Sequence, residues 1–161
     1  MITFDENGDV EVKLQGRRAL VSSNALCLSS PVFAKMLRSS FKEGAQQNTA
    51  SGERGVVILP EDDPEAFLLY CKGVHFRDVP LEPEPIVLAA LAILCDKYDF
   101  SKAIVSWGSI WLQKWTKNTS TQDLSYLLIL AYILGLAETF AEISGAIIMS
   151  HVGAFSPPSI Q

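Results

Sequence analysis

A chain of 161 residues with 48% apolar and 19% charged side chains has room for one domain, or a domain with a small extension, and its composition is that of a folded protein rather than a disordered one. The formal net charge of −5, with no sizeable cluster of Lys or Arg, excludes the basic face that phosphate binding requires, so no nucleic-acid partner is expected. Cys27, Cys71 and Cys95 form no CxxC pair, and His75 and His151 stand far apart with no cysteine beside them, which predicts buried reduced thiols and no metal site.

In chain order, residues 1–8 are acidic and polar, unlike a secretory signal or transit peptide, and predict a cytoplasmic or nuclear protein. Residues 9–14 (DVEVKL) alternate Val10, Val12 and Leu14 with Asp9, Glu11 and Lys13, the period of a strand with one buried face. Gly16 turns the chain into a second strand over residues 17–21. Residues 21–44 carry two helix starts in succession. Ser22 or Ser23 can cap a short apolar turn with Ala25, Leu26 and Leu28, and Ser30 before Pro31 is an N-cap with proline at the first helical position. Val32, Phe33, Met36 and Leu37 share one face of that second helix, which must be buried.

Residues 39–55 are rich in Gly, Ser, Gln and Asn, with Phe41 as the large apolar exception, and predict a loop. Residues 56–59 form a β-branched apolar run that reads as a central strand covered on both faces and paired with the opening hairpin. Asp63 as cap, Pro64 and Glu65 start a helix whose stripe is Phe67, Cys71 and Val74. Residues 79–81 allow at most a short edge strand. Residues 85–98 are apolar nearly all round and read as the central helix, with Leu91, Ile93 and Leu94 expected to be almost fully buried. Ser101 can cap the next helix, whose stripe of Ile104, Trp107, Trp111 and Trp115 is either core packing or a ligand shelf.

The polar connector at residues 116–121 ends the core domain, so the expected division is residues 1–116, a helical extension over 117–155 and a tail at 156–161. The extension is a helical hairpin: one helix from Asp123 stopped by Gly135, and a second from Ala137 with the stripe Phe140, Ile143 and Ile147. The apolar run between Asp123 and Glu138 has about 14 residues where a bilayer span needs about 20, so no membrane insertion is expected.

Several stretches together resemble the BTB/POZ domain, in the variety common in fungal proteins. They are SSxxLxLSSPVF at residues 22–33, the order Asp63, Phe67, Leu68, Tyr70, and Leu94-Cys-Asp-Lys-Tyr98, which is close to the family's Leu-Ala-Asp-Lys-Tyr block. The resemblance runs from about Gly8 to Trp115 and implies an α+β fold: a small, mainly three-stranded sheet with helices clustered on it and a helical hairpin packed on the end. Family members place an acidic residue at the first strand and a His-Lys pair after the second. Asp9 matches, Ser22 and Ser23 replace the basic half, and its absence counts against co-repressor recruitment.

No G-x-S-x-G elbow, P-loop or glycine-rich dinucleotide turn occurs, and the pair Asp62 and Asp63 is accounted for by a helix cap. No enzyme, catalytic residue or cofactor is expected. The resemblance implies a protein-interaction module. Adaptor members carry a hydrophobic residue, any residue, then Glu after the first helical hairpin, which enters a groove on a cullin scaffold; Phe41-Lys42-Glu43 matches that motif. Phe41 is either that anchor or a side chain folded back on its own helix. The alternative function is self-association, as a scaffold or in transcriptional regulation. With only a short polar stretch ahead of Asp9, the expectation is a monomer or weak homodimer meeting through the hairpin at Ser22, Leu26 and Phe33.

Overall fold

The computed structural model describes residues 1–44, 54–114 and 119–150, and for residues 39–44 the backbone alone. Ile2 and Thr3, in the stretch read only as acidic and polar, form a short strand, β1 (Ile2–Thr3), parallel to β3 (Arg17–Val21). It is anchored by the residue that follows. Phe4 is buried, its amide donates to the Leu20 carbonyl at 2.9 Å, and its carbonyl accepts two bonds from the Arg77 guanidinium at 2.8 and 2.6 Å.

The alternating stretch becomes β2 (Val10–Leu14), antiparallel to β3 with Val10 opposite Val21 and Leu14 opposite Arg17. The turn uses Gly16 at φ 65°, a left-handed geometry that glycine adopts without steric cost. The fourth strand, β4 (Gly55–Ile58), runs parallel to β2 and completes the order β1-β3-β2-β4. The expectation of a central strand there is corrected. β4 lies at the edge, and its register sets Val56 and Ile58 opposite Glu11 and Lys13, so both are exposed, at 52% and 66%. A continuous apolar run does not tell burial on two faces from one exposed face, because only the strand order decides it.

The helical hairpin is α1 (Ser23–Ser29) and α2 (Pro31–Gly44). α2 continues through residues 39–44, which the composition had assigned to a loop. Phe33 and Leu37 point into the core, whereas Val32 is exposed. α3 (Pro64–Val74) starts as expected: the Ala66 amide donates to the Asp63 carboxylate at 2.8 Å, with Pro64 at the first turn. No edge strand forms at residues 79–81, where the Pro80 carbonyl accepts the indole N–H of Trp111 at 2.9 Å.

α4 (Pro85–Tyr98) is the central helix: Leu88, Ala89, Leu91, Ala92, Leu94 and Cys95 are all buried. Ile93 is 46% exposed, against expectation, and with Ile86 it forms a narrow outer stripe one heptad long. In α5 (Ser101–Gln113) Phe100 rather than Ser101 occupies the cap position, Ile104 and Trp111 are buried, and Trp107 stacks on Trp111. That much of the aromatic stripe is core packing; Trp115 lies outside the described residues. α6 (Thr121–Ile133) begins at a Ser120 cap and ends at Gly135, φ 68°, and α7 (Ala137–Ser150) returns along it with Ile143 and Ile147 buried. α6 lies along α4, and Leu127, Leu130 and Ala131 belong to the same buried cluster as the sheet and α4. The molecule is thus α+β. Among the described residues no helix is long and apolar enough to cross a membrane.

Candidate interaction surface

The hairpin α1–α2 is held by polar groups from distant parts of the chain. Ser22 occupies the cap position of α1, but its side chain makes no capping bond. Asp9, the residue before β2, caps the helix instead: its carboxylate accepts the Ser23 amide at 2.7 Å and the Ser23 hydroxyl at 2.6 Å. The Ser22 amide donates to Nε2 of His75 at 3.0 Å. Two groups remote in sequence therefore serve the N–H donors that a helix start leaves open.

α2 is fixed by a buried network. Ser30 accepts the Phe33 amide at 3.0 Å and donates to the Tyr98 carbonyl at 2.5 Å. The Tyr98 hydroxyl donates to Asp62, whose other oxygen takes Lys97 Nζ at 2.6 Å. So Asp63 caps α3 as predicted, while its buried neighbour Asp62 ties α3 to the end of α4. Around this network Phe33 stacks on Tyr98, with ring centroids 4.4 Å apart, and Tyr70 on Phe100 at 3.9 Å. Ser29 and Tyr70 hydroxyls meet at 2.5 Å.

Burial governs the titration of these groups. It raises the hydroxyls of Tyr70 and Tyr98, pushes the Cys95 thiol up to about 12 and Cys71 well above the usual thiol range, and lifts Cys27. All are neutral near pH 7, so none of the thiols is an activated nucleophile. Among the described residues no group of three His, Cys, Asp or Glu side chains is placed to hold a metal.

The residues picked from sequence fall into two sets. Phe41 and Glu43 lie in the last turn of α2 rather than in a loop; their side chains are outside the described residues. Leu26 and Phe33, assigned to a self-association surface, are each 1% exposed and belong to the core. That assignment is corrected, because both side chains pack in the core cluster, Phe33 against the Tyr98 ring. Among the described residues, the large apolar groups that the hairpin exposes are Leu28, at 90%, and Val32. Ser22 is half-buried, with its amide bound to His75.

Surface features missed in the sequence lie elsewhere. Phe76 is 95% exposed and adopts φ 53°. A cleft of about 420 Å³ has an apolar floor that includes Phe4, Leu68, Leu69 and Val87, with Lys72 and Glu84 at its rim beside the ion pair of Arg17 and Glu65 at 2.7 Å. Comparison of the chain with protein-family models and with curated proteins gave no match.

Proposed function

We propose that the chain is a protein-interaction module of the BTB/POZ kind, acting as a substrate adaptor that grips a cullin-type ubiquitin ligase scaffold. The observation that carries this reading is the convergence of the motif blocks. Ser30 and Phe33, Tyr70, and Lys97 and Tyr98 come from three separated stretches, and these residues meet in one network through Asp62 and the stacked rings. Residues that pack together in this way are those a common fold would hold in common. The partner assignment rests on Phe41-Lys42-Glu43, at the exit of α2.

The test is binding to a cullin N-terminal region, run beside thermal melts. Phe41→Ala is expected to cost at least ~2 kcal/mol of affinity, as loss of a buried aromatic anchor does, with Tm nearly unchanged. Glu43→Lys is expected to weaken binding as well. A wild-type chain that does not bind, or a Phe41→Ala chain that loses stability and keeps its affinity, rejects the adaptor reading.

Self-association remains the second reading, and the edge strand favours it. Val56 and Ile58 are exposed on β4, whose outer edge has no strand partner among the described residues, and open edges template pairing with another chain. Light scattering over a concentration series checks it, with Val56→Lys expected to abolish any dimer.

A further inference from the structure

Residues opposite one another in the strand register share a face of the sheet, and so do residues two apart on one strand. Val10, Val12 and Leu14 turn to the core, so Glu11 and Lys13 stand on the other face. Lys13 lies opposite Arg18 of β3 and Ile58 of β4, and Glu11 lies opposite Val56. These side chains therefore gather on the side of the sheet away from the core. They are open to solvent there: Val56 and Ile58 are exposed, as are the side chains of Arg18 and Lys13, at 57% and 44%. At the far side of this face Gly8 lies against the Leu20 side chain and the loop of residues 5–8 covers it, while Lys13, Val56 and Ile58 on the β4 side stay open.

The charges on this face do not balance. Glu11 accepts Arg18 Nε at 2.6 Å and has Lys13 Nζ at 4.0 Å. The bond from Arg18 holds its carboxyl below the usual range against the desolvation that raises it, and the charges of Arg18, Lys13 and Arg54 add to the lowering. Arg54, two residues before Val56, thus belongs to the same group. Asp9, just ahead of β2, is taken up by the Ser23 amide and hydroxyl. Three cations therefore surround one carboxylate that is already bonded to one of them, in a chain whose net charge is −5. Beside them Val56 and Ile58 present apolar surface that strand formation alone does not require, since threonine also suits a strand. Cations next to exposed apolar side chains complement a ligand that carries carboxylates and apolar groups together.

We propose that this face of the sheet docks an extended acidic segment of a partner protein, its carboxylates pairing with Lys13 and Arg54 and an apolar side chain two residues along lying on Val56 and Ile58. The surface is separate from the Phe41 motif and does not depend on the adaptor reading. It uses the outward face of β4, whereas self-association would use that strand's open edge.

Fluorescence anisotropy of a labelled Asp-Ser-Val-Ser repeat peptide, titrated with the whole chain, tests the proposal, because Asp and Val two residues apart project to one side of an extended chain. Saturable binding that weakens as salt is raised is expected. A Lys-Ser-Val-Ser repeat is expected not to bind, and an Asp-Ser-Gly-Ser repeat to bind more weakly. Lys13→Gln with Arg54→Gln is expected to weaken binding roughly fivefold, as loss of two exposed ion pairs does. Ile58→Thr is expected to weaken it roughly threefold through lost apolar contact, and both variants to keep a Tm close to wild type. Lys102→Gln with Lys114→Gln removes the same charge from exposed positions on and just after α5 and is expected to leave affinity unchanged. No wild-type binding, equal binding of the glycine peptide, equal loss from the α5 variant, or unaltered affinity in either sheet variant overturns the proposal. So does tighter binding to a single-stranded oligonucleotide or to phosphatidylserine vesicles than to the acidic peptide.

Discussion

His75 is locked into one neutral tautomer by its two bonds, Nδ1–H donating to the Cys71 carbonyl at 2.9 Å and Nε2 accepting from the Ser22 amide at 3.0 Å. A second proton has to go onto Nε2, where it faces another N–H. Burial depresses the imidazole, the carbonyl of Cys71 and the charge of Asp5 oppose that shift, and Arg77 adds to it. The sign follows from linkage. With the folded value below the unfolded one of about 6.5, the unfolded chain binds more protons, so this contribution to stability is complete above that pH and declines as pH falls below it. Thermal melts from about pH 7.5 to about pH 5.5 are expected to show Tm falling for wild type. His75→Gln, which offers an acceptor without a titration, is expected to remove most of that slope; equal slopes in both proteins would count against the assignment. In sequence His75 was one of two histidines standing far apart, and nothing local pointed to Ser22, 53 residues away.

Helix starts divide into those decided locally and those decided at a distance. Ser30 and Asp63 cap α2 and α3 through a backbone amide three residues ahead, a relation the sequence displays directly. The cap of α1 comes from Asp9, just ahead of β2, and no local pattern could assign it. The expected consequence is an inversion of the reading from sequence. Asp9→Ala should cost about 1 kcal/mol, as removal of an N-cap does, and Ser22→Ala close to nothing; urea denaturation of the two variants separates them. The match of Asp9 to the acidic residue of the BTB/POZ pattern thus coincides with a structural task, joining β2 to the hairpin. β4 fails locally for the opposite reason. Its residues are strand formers, but whether Val56 and Ile58 face water depends on which strand stands beside them.

The hairpin α6–α7, read as an extension beyond residue 116, covers the central helix. α6 lies along α4, and Leu127 and Leu130 are fully buried in the cluster that contains Leu91, Phe67 and Val12. Removing the hairpin exposes that apolar surface to water, a loss that a chain of this size cannot absorb within a net stability of about 5–15 kcal/mol. A chain ending at residue 116 is therefore expected to lose its cooperative melt and to bind a hydrophobic dye, and a sharp transition near the wild-type Tm would show instead that residues 1–116 fold alone. Size matters to the partner assays for the same reason: binding has to be measured on the whole chain, since a frayed α4 would loosen the network that holds α2 through Ser30 and Tyr98.

What the sequence by itself determined was most of the elements and many of their ends: the alternating hairpin with its glycine turn, the proline-started helices at 31, 64 and 85, the helix pair around Gly135, and the α+β class. These follow from periodicity and capping, which act within a few residues. Tertiary structure alone decided the strand order that put β4 at the edge, the outward turn of Ile93 on a helix apolar on all sides, the burial of Leu26, the remote cap of α1 and the exposure of Phe76 at a left-handed corner. In each of these the same side chain is compatible with either environment. The outcome depends on neighbours brought in from far along the chain, because burial is a property of the packed assembly and not of the residue.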